Sequence, residues 1–65
     1  MKSYSPKEVI EILMQNGWYI KRSRGSHFQF AKDGLSNIVT VSVSKNNIPI
    51  GTLKSISKQS GIVFK

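Results

Sequence analysis

The sequence predicts an α+β fold in the order α-β-β-β-α, with a three-stranded antiparallel sheet and two helices packed on one face of it. Three observations support this prediction. An amphipathic run follows Ser5, three stretches of alternating apolar and polar residues occupy positions 18–44, and a second helical run ends before Gly61. Strand alternation leaves one apolar face, which both helices are expected to cover. A chain of 65 residues has room for a single domain, residues 1–65, with one core.

The first helix is predicted from its end signals. Ser5 supplies an N-cap oxygen, a proline follows at the first helical position, and Glu8 stands three residues after Ser5 to complete a capping box. An apolar face centred on Leu13 comes next. Gly17 suits the left-handed conformation that ends a helix, so we expect Trp18 to fold back onto Leu13.

The middle of the chain is predicted to form three strands at residues 18–22, 26–32 and 37–44, joined by turns at 23–25 and after Asp33-Gly34. Period-two alternation assigns the strand residues to two faces. The apolar face is expected to carry Trp18, Ile20, Phe28, Phe30, Val39, Val41 and Val43. The polar face is expected to carry Tyr19, Lys21, His27, Gln29, Thr40 and Ser42.

The second helix is predicted to begin near residues 49–52. Its apolar residues Leu53 and Ile56 are expected to face the core. Its exposed side carries a basic pair one turn apart, Lys54 and Lys58.

The charge of the chain favours a polyanionic partner. Ten Lys and Arg stand against three acidic residues, so the net charge is +7 and the isoelectric point is about 10.2. A domain with an isoelectric point above about 9 has the electrostatic character of a nucleic-acid-binding protein. An acidic protein partner is compatible with the same charge. A membrane-surface role is disfavoured, because the basic residues are spread along the chain and do not line one helix.

Composition argues against several other classes. The chain has no cysteine, which removes disulfides, thiolate zinc sites and cysteine nucleophiles. Three carboxylates and one histidine match no familiar metal-ligand spacing, and no glycine-rich strand-to-helix loop is present, so neither a metal nor a small-molecule cofactor is expected. No apolar run approaches the ~20 residues of a bilayer span, so we expect a soluble cytoplasmic protein with no membrane partner.

The candidate site is centred on His27, the only histidine of the chain. Histidine suits acid–base catalysis because its unperturbed pKa is ~6.5. RNA carries its own nucleophile, the 2′-hydroxyl, so a base and cations that hold the phosphate are the minimum needed to cleave it. Lys21, Arg22 and Arg24 are the candidate cations. From the residues alone, an ordinary surface role for His27 is an equally good interpretation.

Five further residues are candidates for RNA contact. Gly25 permits close approach of backbone to a phosphate, and Ser26 offers a hydrogen bond. Gln29 shares the polar sheet face with the histidine. Lys54 and Lys58 are candidates for contacts to the RNA backbone, with plain solubility as the alternative.

Several segments of the sequence resemble the HicA toxins of bacterial toxin–antitoxin pairs. They are Asn16-Gly17-Trp18, the basic segment that leads to Gly25-Ser26-His27, the run Gly51-Thr52-Leu53-Lys54-Ser55-Ile56, and the pairs Lys58-Gln59 and Gly61-Ile62. The likeness covers nearly the whole chain. The order of elements is similar to that of double-stranded-RNA-binding domains, which is the fold that the resemblance implies.

The resemblance implies a ribosome-independent mRNA endonuclease with His27 as its general acid/base. Its expected partners are mRNA and a HicB-type antitoxin that covers the active face, and its expected products are a 2′,3′-cyclic phosphate and a 5′-hydroxyl. The chain departs from the family pattern at two places. Phe28 replaces the second histidine of Gly-Ser-His-His, and Ser42, Ser44 and Lys45 stand where many members carry a further histidine.

Two alternatives remain open at this point. A domain of the same fold could hold double-stranded RNA by its shape without any chemistry. The chain could also act only as a subunit whose basic face docks an acidic antitoxin. DNA binding is disfavoured, because no helix-turn-helix pattern is present.

Overall fold

In a computed structural model, which describes residues 3–44 and 46–64, the chain folds as five elements. They are α1 (Pro6–Gln15), β1 (Tyr19–Arg24), β2 (His27–Ala31), β3 (Val39–Ser42) and α2 (Ile50–Ser60). The strands form one antiparallel sheet in the order β1-β2-β3, so β2 is central. The predicted α-β-β-β-α fold is confirmed. Neither helix in the described part of the chain is long and apolar enough to cross a membrane.

Helix α1 begins with the predicted capping box. The backbone N–H of Glu8 donates to Ser5 Oγ (3.2 Å), and the backbone N–H of Ser5 donates to Glu8 Oε1 (2.9 Å). Each bond satisfies a donor that the first turn of the helix leaves without an intrahelical acceptor. Pro6 occupies the first helical position, where its missing N–H carries no cost.

The end of α1 turns the chain into the core. Gly17 has a φ of 92°, and its N–H donates to the Met14 carbonyl (3.1 Å). The N–H of Trp18 donates to the Leu13 carbonyl (3.0 Å), which completes a Schellman motif. Trp18 and Leu13 are both buried in the same apolar cluster, as predicted.

One apolar cluster joins every element except β1. The sheet contributes Phe30, Val39 and Val41, all fully buried, and both helices pack against β3. The ends of the described chain meet as well, because the rings of Tyr4 and Phe64 lie edge to face with centroids 5.3 Å apart. The other members of the cluster are Val9, Leu13, Trp18, Ile48, Leu53 and Ile56.

The predicted boundaries of the strands were wrong in three respects. Strand β1 continues to Arg24, so the connection to β2 is the two-residue turn Gly25-Ser26 and not residues 23–25. Two-residue hairpin loops suit the twist of a sheet when the first loop residue has a positive φ, and Gly25 has a φ of 58°. Strand β2 is shorter by one residue at each end than predicted. Strand β3 spans four residues and not 37–44. The side-chain amide of Asn37 donates to the Gln59 carbonyl (3.3 Å).

The expected burial of Ile20 was also wrong. Ile20 lies opposite the buried Phe30, yet 43% of its surface is exposed. Strand β1 is an edge strand, and the helices pack on β3 at the other edge of the sheet. The inner side of β1 is therefore only partly covered.

Replacing Ser5 by Ala tests the capping box. The substitution removes the acceptor of the Glu8 N–H, so the free energy of unfolding should fall by about 1 kcal/mol in urea denaturation. Ser36→Ala is the matched control, because Ser36 is exposed and no hydrogen bond engages its side chain within the described residues. Equal losses in the two variants would contradict a stabilising role for the cap.

Candidate functional site

The sheet has an outer face, opposite the helices, that carries two rows of side chains. Pairing of the strands places Arg24, His27 and Ser42 side by side in the first row. The second row contains Arg22, Gln29 and Thr40. Neighbours within a row have Cβ atoms about 5 Å apart, and the rows are separated by two residues of strand, or about 7 Å. His27 and Gln29 thus occupy the central strand, with arginines on one side and hydroxyl residues on the other.

A β-bulge directs both arginines to this outer face. The pairing runs regularly from Arg24 opposite His27 to Arg22 opposite Gln29, and then shifts by one residue so that Ile20 lies opposite Phe30. Lys21 is the extra residue. Uninterrupted alternation from Ile20 would have turned the side chains of residues 22 and 24 toward the helices. The regular alternation predicted for this strand is therefore interrupted at Lys21.

The outer face forms an open pocket of about 400 Å³. Its lining consists of Arg22, Arg24, His27, Gln29 and Thr40. None of these side chains makes a hydrogen bond or ion pair within residues 3–44 and 46–64, and no carboxylate belongs to the lining. Their donors and acceptors are therefore free to meet a ligand, and the net charge of the lining favours an anionic one.

The turn Gly25-Ser26 connects two residues that line the pocket. It joins Arg24 directly to His27, so it holds the first row of side chains together. A Cβ atom at Gly25 would find no heavy atom within 4 Å, so the space above the turn is open. The carbonyl of Ser26 accepts the N–H of Val43 (2.8 Å), which ties the turn to the end of β3.

The other predicted RNA-binding residues lie outside the pocket. Lys21 is exposed at the bulge, on the same edge strand as the arginines. Lys54 and Lys58 are exposed on α2, which packs on the opposite face of the sheet. Lys58 lines a separate groove with Asn37 and neighbouring residues of α2.

Thr40 is a lining residue that we did not single out as a candidate. Its place on the polar face was predicted from the alternation of β3. The residues that lie next to it in the pocket were not predicted. Only the register of β3 against β2, with Thr40 opposite Gln29, shows that it belongs to the pocket.

Ser42, one of the departures from the resembled pattern noted above, lies in the first row of the outer face. Ser42 is the direct neighbour of His27 across the strands, and its hydroxyl lies 2.9 Å from that of Ser44. Lys45 lies outside the described residues. Within the described part of the chain, no three His, Cys, Asp or Glu side chains are grouped so that they could hold a metal ion.

The arrangement combines one proton acceptor with two fixed cations in a pocket open to solvent. An imidazole can take or give a proton near neutral pH, and guanidinium groups bind phosphate oxygens through paired N–H donors. Residues suited to phosphate and residues suited to proton transfer therefore share a single lining.

The fold and the outer face define a small, strongly basic α+β protein whose central strand presents one histidine beside two arginines. The sequence model of the family described as the HicA toxin of bacterial toxin–antitoxin systems matches residues 6–62. The chain therefore belongs to the HicA toxin family, and its membership implies an antitoxin partner. A comparison with curated proteins found no significant match.

Proposed function

We propose that this HicA-family toxin is a ribosome-independent mRNA endoribonuclease, with His27 as general acid/base and a basic sheet face that holds the RNA backbone. The observation that carries the proposal is the pocket of the outer face, where the imidazole shares a lining with Arg22 and Arg24. Family membership supports the toxin role, and the chemistry of this lining supports RNA as its target.

Binding of the substrate rests on charge. The chain carries a net charge of +7, and two of its arginines lie on adjacent rows of the outer face. Guanidinium groups bind phosphate oxygens bidentately, so Arg22 and Arg24 hold consecutive parts of the RNA backbone. Lys21 adds positive charge at the same edge. Lys54 and Lys58, on the opposite face, contribute through the overall field or contact a more distant part of a long RNA.

The chemical step uses the 2′-hydroxyl of the RNA. The imidazole of His27 takes the 2′-hydroxyl proton as the 2′-oxygen attacks phosphorus, and the bond from phosphorus to the 5′-oxygen breaks. The arginines stabilise the additional negative charge that develops on the phosphate oxygens. The imidazolium returns its proton through solvent to the departing 5′-oxygen. His27 ends neutral, and the products are a 2′,3′-cyclic phosphate and a 5′-hydroxyl, with no co-reactant consumed.

The turn Gly25-Ser26 supports this geometry. The space above Gly25 allows a phosphate to approach the backbone next to His27. The hydroxyl of Ser26, the residue before His27, adds a donor for a phosphate oxygen.

Neutralisation follows from the same surface. A HicB-type antitoxin that presents acidic side chains to Arg22 and Arg24 would occupy the place of the RNA phosphates and block access to His27. Complementary charge also speeds the encounter of two proteins, which suits an inhibitor that must act before its target does damage.

Replacing His27 by Ala tests the catalytic assignment. Cleavage of an unstructured RNA in EDTA should fall by about 10²- to 10⁴-fold, the usual contribution of a general acid/base, while RNA affinity changes little. Gel analysis gives the cleavage rate, and end-group analysis of the wild-type products should find the cyclic phosphate. If wild-type protein binds RNA without cleaving it, the chain is a binding module of the same fold and not a nuclease.

Salt dependence of RNA affinity tests which cations bind phosphates. For single-stranded RNA, each neutralised phosphate contributes about −0.7 to the slope of log K against log salt. Arg22→Gln and Arg24→Gln should each reduce the magnitude of the slope by about that amount. Lys54→Gln removes the same charge on the opposite face and should leave the slope closer to that of wild type. A slope insensitive to both arginine substitutions would contradict the proposed binding face.

Deleting Lys21 tests the role of the bulge. Without the extra residue, Ile20 and Arg22 would pair regularly with Phe30 and Gln29, so both arginines should still face outward and RNA affinity should fall only as the loss of a single exposed charge requires. Lys21→Ala removes the same charge but keeps the residue count and the bulge, and should bind RNA as tightly as the deletion variant. Circular dichroism checks that both variants keep their secondary structure. A deletion variant that binds more than tenfold more weakly than Lys21→Ala would contradict this register.

A further inference from the structure

The pocket of the outer face has two chemically different halves. Arg22 and Arg24, from β1, make one half cationic. Gln29 and Thr40, from β2 and β3, make the other half neutral, with both donors and acceptors. His27 belongs to the central strand and to the row next to Gln29 and Thr40.

Gln29 offers hydrogen-bonding capacity that the protein does not use. Its side chain is half-buried, yet no side-chain hydrogen bond engages it within residues 3–44 and 46–64. A primary amide carries two N–H donors and one carbonyl acceptor, all of which are available to a ligand. The floor of the pocket therefore favours a ligand that presents a donor and an acceptor together.

Thr40 extends the same polar surface. It lies directly opposite Gln29 in the register of β2 and β3, so the two Cβ atoms are about 5 Å apart. Its side chain is exposed, and within the described ranges it has no hydrogen-bond partner. A hydroxyl both donates and accepts hydrogen bonds, so it can pair with a ligand group that the Gln29 amide does not bind.

A phosphate would use only part of this neutral half of the pocket. Its oxygens only accept hydrogen bonds, so the amide N–H groups and the hydroxyl could donate to them but the amide carbonyl would stay unpaired, whereas the arginines alongside offer donors alone. The edge of a nucleobase presents donors and acceptors side by side and carries no charge. The second row also lies about 7 Å along the strands from His27, which is within reach of a base whose own ribose sits at the imidazole.

We propose that Gln29 and Thr40 bind the edge of the base whose ribose 2′-hydroxyl faces His27, so that they determine which nucleotide lies on the 5′ side of the cut. The inference rests on the proposed ribonuclease function and adds a specificity subsite to it. A base in a duplex has its Watson–Crick edge occupied by its partner. The substrate class is therefore unpaired RNA, with bases that the protein turns onto the sheet.

Mapping the cut positions in an RNA library with randomised sequence tests this assignment. Each product with a cyclic phosphate ends in the nucleotide that the subsite bound, so sequencing these ends gives the base preference. Wild-type protein should prefer one base, or one pair of bases with similar edges, by at least about fivefold, the lower end of the range for a good side-chain contact to a base. Gln29→Met and Thr40→Val keep the size of each side chain and remove its hydrogen bonds. Each should reduce the preference to less than about twofold while cleavage continues.

Three control variants make the result specific. Gln15→Met and Thr52→Val introduce the same chemical changes on α1 and α2, at residues that do not line the pocket of the outer face, and should keep the wild-type preference. Thr40→Ser retains the hydroxyl and should also retain the preference. The preference is a ratio within one reaction, so it does not depend on the fraction of each variant that is folded.

Failure of this inference differs from failure of the ribonuclease proposal. If wild-type protein cleaves no RNA, both are overturned. If it cleaves and the base preference survives Gln29→Met and Thr40→Val, only the subsite is overturned. If either variant loses cleavage as completely as His27→Ala while remaining folded, that residue acts in the chemical step and the assignment of a specificity role is overturned.

Discussion

The pairing of β1 with β2 has to satisfy two demands that a regular strand cannot meet together. Ile20 lies opposite Phe30 on the core side, and Arg24 lies opposite His27 on the outer side. Residues 20 and 24 are an even number of positions apart, so unbroken alternation would place them on one face. The extra residue at Lys21 resolves this conflict, because a β-bulge changes the phase of the strand without breaking the hairpin. The cationic half of the pocket depends on this bulge, which accommodates Lys21 and keeps both arginines on the outer face.

The side chains that stabilise the fold and those that form the candidate site lie on opposite faces of the sheet. The inner face joins both helices in one apolar cluster, and the fully buried Phe30 lies on the same strand as His27. A chain of 65 residues without cysteine depends on such a cluster, because a small domain buries a limited share of its surface. The outer face leaves Arg22 and Arg24 exposed in adjacent rows. Their positive charge favours an anionic partner on this face.

The proposed chemistry requires mainly that the fold hold a few side chains in fixed positions. A central strand is held on both sides by hydrogen bonds, so the backbone under His27 and Gln29 is more rigid than a loop would be. In this proposal the arginines bind the backbone phosphate and the histidine acts on the ribose hydroxyl. Gln29 and Thr40 bind the base. One titrating side chain is sufficient when the nucleophile belongs to the substrate and the pocket is open to solvent for the return of the proton. This economy suits a chain whose only histidine is His27.

Local chemistry in the sequence determined the elements and much of their order. These signals act over a few residues, so they can be recognised in the sequence itself. They are the capping box at Ser5, the glycine that ends the helix at Gly17, and the alternation around Phe30. The same alternation placed His27, Gln29 and Thr40 on one polar face, as the structure confirms. The register of the strands could not be predicted in this way, because it depends on how residues far apart in the sequence pack into one core. Only the tertiary structure decided that Lys21 forms a bulge, that Arg22 and Arg24 face outward, and that Thr40 completes the pocket.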